Sequence, residues 1–204
     1  MTPMTLMTPM LGRSAVSDPE VRRRILAATV TCLGRSGMTG LTLEQVATEA
    51  GVGRATVYRY FEGGRDELVG EAVAWEVAGF FTGLADEVEG SASFRERLER
   101  GLVFAHRSLE QHDVFQYLLA TERERIIVRL AELAPMSLAV VRGYLAGLLV
   151  DEDLAADVSV DAAADYLARM VLSFLTSPGS WDLEDPTEVS ELVDSVFLAG
   201  VVAR

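Results

Sequence analysis

The stretch LTLEQVATEAGVGRATVYRYF, residues 41–61, decides the reading of this chain. Thr42 followed three residues later by Gln45 is a capping box: the threonine oxygen takes a backbone N–H of the first turn, and the glutamine reaches back to the cap. A helix is therefore expected from Thr42, stopped by Gly51, because glycine enters a left-handed turn that other residues adopt only with strain. A second short helix is expected over 54–61, broken by Gly63 and Gly64. Ala47 stands four residues before Gly51 and Val57 six after it, a spacing that lets two helices cross closely at the alanine. Val46, Ala50, Val52 and Val57 then fill the space between the pair and the preceding helix. Two short helices on a glycine turn, the second rich in Arg and Tyr, have the layout of a helix-turn-helix. Taken alone, RATVYRYF would be an ordinary amphipathic surface helix; the helix and turn before it favour the first reading.

Working outward, DPEVRRRILAATVTCLGRSG, residues 18–37, is a first helix with Asp18 as N-cap, Pro19 at the first helical position and Gly37 as its end. Val21, Ile25, Ala28 and Leu33 share a face, which leaves Arg22, Arg23 and Arg24 largely outside as a solvated run, with phosphate contact as the alternative. Beyond Arg65 a long amphipathic segment begins, and further helices are expected near 92–111, 113–133, 137–150, 160–176 and 186–202. Hairpin signals such as Asn-Gly are missing, so the expected fold is all-α.

The composition sets the frame. Of 204 residues half are hydrophobic, enough for a good core, and the net charge is -13. Every basic residue is arginine, and asparagine is absent. The charge is uneven: residues 1–70 hold eight arginines against seven carboxylates, and residues 71–204 hold ten against 24. The lone Cys32, in an apolar run, fits a small core residue in a reducing cytoplasm. The opening residues lack the pattern of a signal peptide, and the run LAVVRGYLAGLLV, 13 residues with Arg142 inside, is too short to span a bilayer. His106 and His112 stand six apart with no metal-ligand spacing around them, so neither a metal nor another cofactor is expected.

The segment from Leu41 to Phe61, with the helix before it and RDELV after it, resembles the TetR family of one-component transcriptional regulators. The resemblance covers roughly the first 70 residues; the rest matches only in length and helicity. It implies a flexible tail over 1–17, a helix-turn-helix DNA-binding domain over 18–64, and a helical ligand-binding and dimerisation domain over 65–204. It further implies a cytoplasmic, bacterial dimer that binds palindromic double-stranded operator DNA and releases it when a small molecule binds. Carried onto the matching positions, Arg54, Ala55, Thr56 and Arg59 face the major groove, Tyr58 and Tyr60 reach flanking phosphates, and Thr42 offers its hydroxyl to another. The family often has a lysine before the fourth helix; here the turn reads EGGRDEL, and Arg65 is the candidate for that contact. Arg13, in the tail, is a candidate for a minor groove. The acidic second half then repels DNA and leaves only the headpiece attractive.

For the second half, Trp75, Phe81, Phe104, Tyr117, Tyr144, Met170 and Phe174 are candidates to line a ligand cavity, against the plain alternative that they are core. With no buried-looking basic cluster, an apolar or cationic effector is expected. The last two helices have broad apolar faces with small residues and are the expected homodimer interface, the alternative being burial within one chain. Two rivals stand beside a ligand-responsive repressor. One is a helix-turn-helix protein acting as an activator or binding a protein partner. The other is a helical enzyme using Glu122, Glu124 and His106, for which no nucleophile motif or phosphate loop speaks.

Overall fold

The computed structural model describes residues 18–176 and 179–203; the expected tail, with Arg13, lies outside them. The first helix, α1 (Pro19–Gly40), begins where the Asp18 side chain accepts the Glu20 N–H, and it kinks at Gly37, whose φ of 69° and ψ of -179° leave the helical region. Both halves of the capping box form at the start of α2 (Leu43–Ala50), and Gly51 closes it in the left-handed conformation, φ 63° and ψ 39°. The recognition candidate, α3 (Arg54–Tyr60), follows and is closed at Phe61. Ile25, Leu33, Leu41, Val46, Val57 and Phe61 meet in one interior.

That interior runs on into α4 (Gly64–Val88), whose Leu68, Val69, Ala72 and Val73 are buried in it. By length and composition α4 reaches what a membrane span needs, a candidate that residues 138–150 are too short to be. Its first half is instead occupied in packing the headpiece. A second interior joins α5 (Phe94–Glu110), the C-terminal part of α7 (Arg123–Leu149), α8 (Val160–Thr176) and α9 (Pro186–Leu192). The short α6 (Asp113–Thr121) lends Leu118 to the first interior, as α7 lends Ile126.

Three expected boundaries move. The first helix does not end at Gly37 but kinks there and runs on to Gly40. Residues 113–133 and 137–150 do not form two helices parted near Pro135; the chain breaks at Glu122, and α7 runs straight through Pro135. Proline lacks the N–H and crowds the carbonyl four residues back. The burial of Ile126 before it and of Val141, Leu145 and Leu149 after it still holds one helix together, with Pro135 on the solvent side. The last helix also stops short of residue 202: α9 passes into a π-helical turn at Val193–Phe197, and Leu154 and Val202 form an isolated antiparallel bridge.

The break at Glu122 has a cause in the headpiece. One Glu122 carboxylate oxygen accepts the Thr39 N–H at 3.2 Å, and the other accepts the Thr39 hydroxyl at 2.8 Å. Burial works against the charge on Glu122, but the Thr39 hydroxyl, the Thr39 and Met38 backbone and Arg125 outweigh it, and its pKa lies below the ordinary carboxylate value. This contact therefore stabilises the fold above the ordinary carboxylate pKa and fades as pH falls through the lowered one. It also fits tightly against Gly37: a Cβ there would lie 2.1 Å from Glu122 Oε1. The backbone at Gly37 belongs to a region open to glycine and worth about 1–3 kcal/mol of strain to other residues. Gly37→Ala is thus expected to lower stability in urea unfolding by at least about 1–3 kcal/mol. Adding Glu122→Ala should recover part of that loss; strictly additive losses would contradict the contact.

Candidate nucleic-acid interface

Helix α3 has two faces fixed by what lies beneath it. Val57 and Phe61, four residues apart, are fully buried, each at 0% exposure. The helical repeat then turns Arg54, Ala55, Tyr58 and Arg59 outward, and all four are exposed. Thr56 is half-buried at the edge of this stripe, and Thr42 is exposed at the start of α2 with its hydroxyl accepting the Gln45 N–H at 3.2 Å. The Arg54 guanidinium is paired with Glu44, lies 5.5 Å from the Tyr58 ring centroid, and donates to the Tyr58 hydroxyl at 3.3 Å. Arg59 lies 5.4 Å from the centroid of the Tyr60 ring.

Tyr60 and Arg65 sit apart from the exposed stripe. The Tyr60 hydroxyl turns back to α1, where it accepts the Asp18 N–H at 2.8 Å. Arg65 donates to the Thr39 carbonyl at 3.2 Å. The arginine run on α1 is not simply a solvated face either. Arg22 stands 4.8 Å over the Phe61 ring and bonds both the Tyr60 carbonyl and Glu71. Arg24 donates to the carbonyls of Ala50 at 2.6 Å and Gly51 at 3.3 Å, satisfying the C-terminal end of α2. Arg23 and Arg24 are both exposed, and Arg23 is paired only within its own helix, with Glu20. The sequence showed the charge of this run but not that Arg24 reaches the turn and Arg22 the end of α3.

In the second half, a cavity of about 160 Å³ opens between α4, α5 and α7. Phe81 and Tyr144 line it; the other five candidates do not. Trp75 packs against the headpiece interior, and Tyr117 is 37% exposed on α6. Phe104 stacks beside Phe80, centroids 6.0 Å apart, where Gly83 leaves room for its ring. Met170 and Phe174 pack on the second interior, Phe174 with its ring 5.5 Å from that of Phe197. Large side chains fill the helix contacts, and the space is left where small ones meet, at Ala85, Gly101 and Ala105. Arg97 also lines this cavity. Its place four residues before Gly101 on the inner side of α5 was the available sign.

The acid–base candidates are committed elsewhere or scattered. Glu122 is tied to Thr39, and among the described residues no three His, Cys, Asp or Glu side chains gather as a metal site. Of the last two helices, α9 turns Val189, Leu192, Val193 and Phe197 of its continuation into its own chain. Most of the large apolar side chains left outside are on α7, among them Met136, Val140 and Tyr144, with Tyr166 on α8.

Comparison with known proteins adds an independent line. The family model described as bacterial regulatory proteins, tetR family, matches residues 25–72. An uncharacterized HTH-type transcriptional regulator of Mycobacterium bovis is 27% identical over 176 residues, 86% of this chain and 87% of that one. The HTH-type transcriptional regulator BetI of Brucella anthropi is 38% identical over 52 residues, 26% of each chain. Among solved structures, a TetR-family regulator from Mesorhizobium loti superposes with a TM-score of 0.63 at 17% identity, covering 91% of this chain and 98% of that one. The last shares the fold.

One pair between helices carries a histidine. His112 Nε2 lies 2.8 Å from Glu76 Oε2 on α4, while its Nδ1 accepts the Phe115 N–H and caps α6. The cap favours the neutral ring, but the bond to the Glu76 carboxylate dominates, ahead of burial, and raises His112 above its ordinary value of 6.5. A raised pKa means that the pair stabilises the fold fully below the unfolded value and loses that contribution as pH rises through the folded one. The stability difference between the native chain and Glu76→Gln, measured by urea unfolding, is expected to be largest below about pH 6.5 and to shrink above it. A difference independent of pH would contradict the pairing.

Proposed function

We infer that the chain is a TetR-family regulator, a dimeric repressor that binds a palindromic operator through α3 and is released by a small effector; the tetR family match over residues 25–72 and the similarity to HTH-type regulators support this reading. The observation that carries this reading is the outward stripe of Arg54, Ala55, Tyr58 and Arg59, backed by the buried Val57 and Phe61. A planar guanidinium can donate to O6 and N7 of guanine together, worth about 1–3 kcal/mol of discrimination for each such pair. Ala55 is small enough to meet a thymine methyl, and the Tyr58 hydroxyl, which accepts from Arg54, keeps its own proton to donate to a phosphate. Arg54 must leave Glu44 to do its part, so the unbound headpiece holds one reading residue in reserve.

Release runs through α4. Its N-terminal half is core to the headpiece, while Phe81, Leu84 and Val88 of its C-terminal half line the cavity. An effector between α4 and α5 therefore acts on the helix that carries the headpiece, and in a dimer a small pivot of α4 changes the separation of the two α3 helices. The mate is proposed to dock on the outer apolar side chains of α7 and α8, with α9 at the polar rim. A two-fold dimer presents its recognition helices to half-sites about 34–36 Å apart, or a multiple of that.

Fluorescence anisotropy against tiled DNA from the upstream region, at two salt concentrations, tests the reading. One tile should bind tightly, more weakly at higher salt because phosphate contacts release counterions. Arg59→Ala should cost about 1–3 kcal/mol on that tile. Tyr58→Phe should weaken all sequences alike, and Glu44→Gln should strengthen binding by freeing Arg54. Uniform binding to every tile, unchanged by Arg59→Ala, would contradict a reading role for α3.

A further inference from the structure

The cavity between α4, α5 and α7 is lined by apolar side chains apart from Arg97 and Tyr144. Arg97 lines it, its Nε is fully buried, and that N–H has no hydrogen-bond partner among the described residues. The carboxylates flanking it on α5, and Glu87 at the end of α4, are engaged. Glu96 accepts the Ala92 N–H at 2.7 Å, Glu99 pairs with Arg95 and accepts the Ser190 hydroxyl, and Glu87 pairs with Arg100. Arg95 has Asp194 as well. A buried donor on a charged group left without an acceptor destabilises the fold. A chain with 31 carboxylates that offers none to this guanidinium leaves the place of its counter-anion open to a ligand.

We propose that the effector is a compact amphipathic anion, a small monocarboxylic acid whose carboxylate binds Arg97 and whose apolar body fills the space beside Phe81, Leu102 and Tyr144. The guanidinium fork matches a carboxylate with two parallel hydrogen bonds, and the pairing is strongest where water is excluded. Size sets the other limit: an apolar cavity of about 150 Å³ holds benzene, so the space of about 160 Å³ here suits an aromatic ring or a short branched chain. A cationic effector would meet Arg97 with like charge, and a purely apolar one would leave its N–H unpaired. This proposal rests on the cavity being the effector site of a DNA-binding regulator.

The test uses three probes with one ring and different heads, benzoate, benzamide and benzylammonium, titrated calorimetrically into the full-length protein without DNA. Benzoate is expected to bind about tenfold to a hundredfold more tightly than the other two, and Arg97→Gln to lose that margin while Arg97→Lys keeps part of it. Thermal unfolding of Arg97→Gln checks its fold. Gly101→Leu serves as a second variant: the Cβ position at Gly101 lies 3.6 Å from side-chain carbons of Leu84 and Val88, so the leucine fills the cavity with Arg97 in place. It should abolish benzoate binding. Benzamide or benzylammonium binding as well as benzoate, unchanged benzoate affinity in either variant, or no benzoate binding at millimolar concentration would each overturn the proposal. Arg97-dependent benzoate binding that leaves operator affinity unchanged would uphold the site and count against the release mechanism alone.

Discussion

The burial of Val57 and Phe61 is the constraint on which the rest depends. These two side chains, one turn apart, lock α3 to the interior made by α1, α2 and α4, and so fix which of its residues face outward. A recognition helix of seven residues is too short to be stable alone. Its shape and orientation come from that anchor, from Gly51 at the turn, and from Arg22 and Arg24, which hold its ring and the end of α2. The backbone that carries the exposed arginines is therefore presented in a fixed geometry, so DNA has only their side chains to order, and the entropy of binding is correspondingly less unfavourable.

The same interior explains how a distant site could speak to DNA. Two cores are joined by helices that belong to both: α4, buried at one end in the headpiece and lining the cavity at the other, and α7, which gives Ile126 to the first core and Leu145 to the second. Side chains reinforce the joint. Glu122 ties the α6–α7 corner to Thr39, and His112 ties α6 to Glu76. Coupling between sites of this kind is typically about 1–3 kcal/mol, an amount that a few such contacts can carry.

Much of the headpiece was legible because its features are local. The capping box at Thr42 and Gln45 and the left-handed Gly51 follow from residue type and spacing, and the structure forms both; Gly37, expected as the end of the first helix, is instead a kink within it. The roles of Arg22 and Arg24 were not legible, since they depend on partners 26 to 49 residues away. Nor was the break at Glu122: Pro135 is the stronger local signal, but packing on both sides of it holds α7 together while Thr39 draws Glu122 out of line. In the second half, aromatic content marks core and cavity alike. Only the packing shows that Phe81 and Tyr144 line the space while Trp75, Phe104, Tyr117, Met170 and Phe174 do not, and that Arg97 joins its lining.

The most direct measurement of α3 as a reading helix is guanine N7 methylation protection on the bound operator, since N7 lies in the major groove. Two protected patches on one face of the duplex, a helical turn or a multiple apart, with the patch pattern lost in Arg54→Ala or Arg59→Ala, are the expected result. Protection confined to the minor groove, or DNA binding with N7 fully reactive throughout, would contradict it.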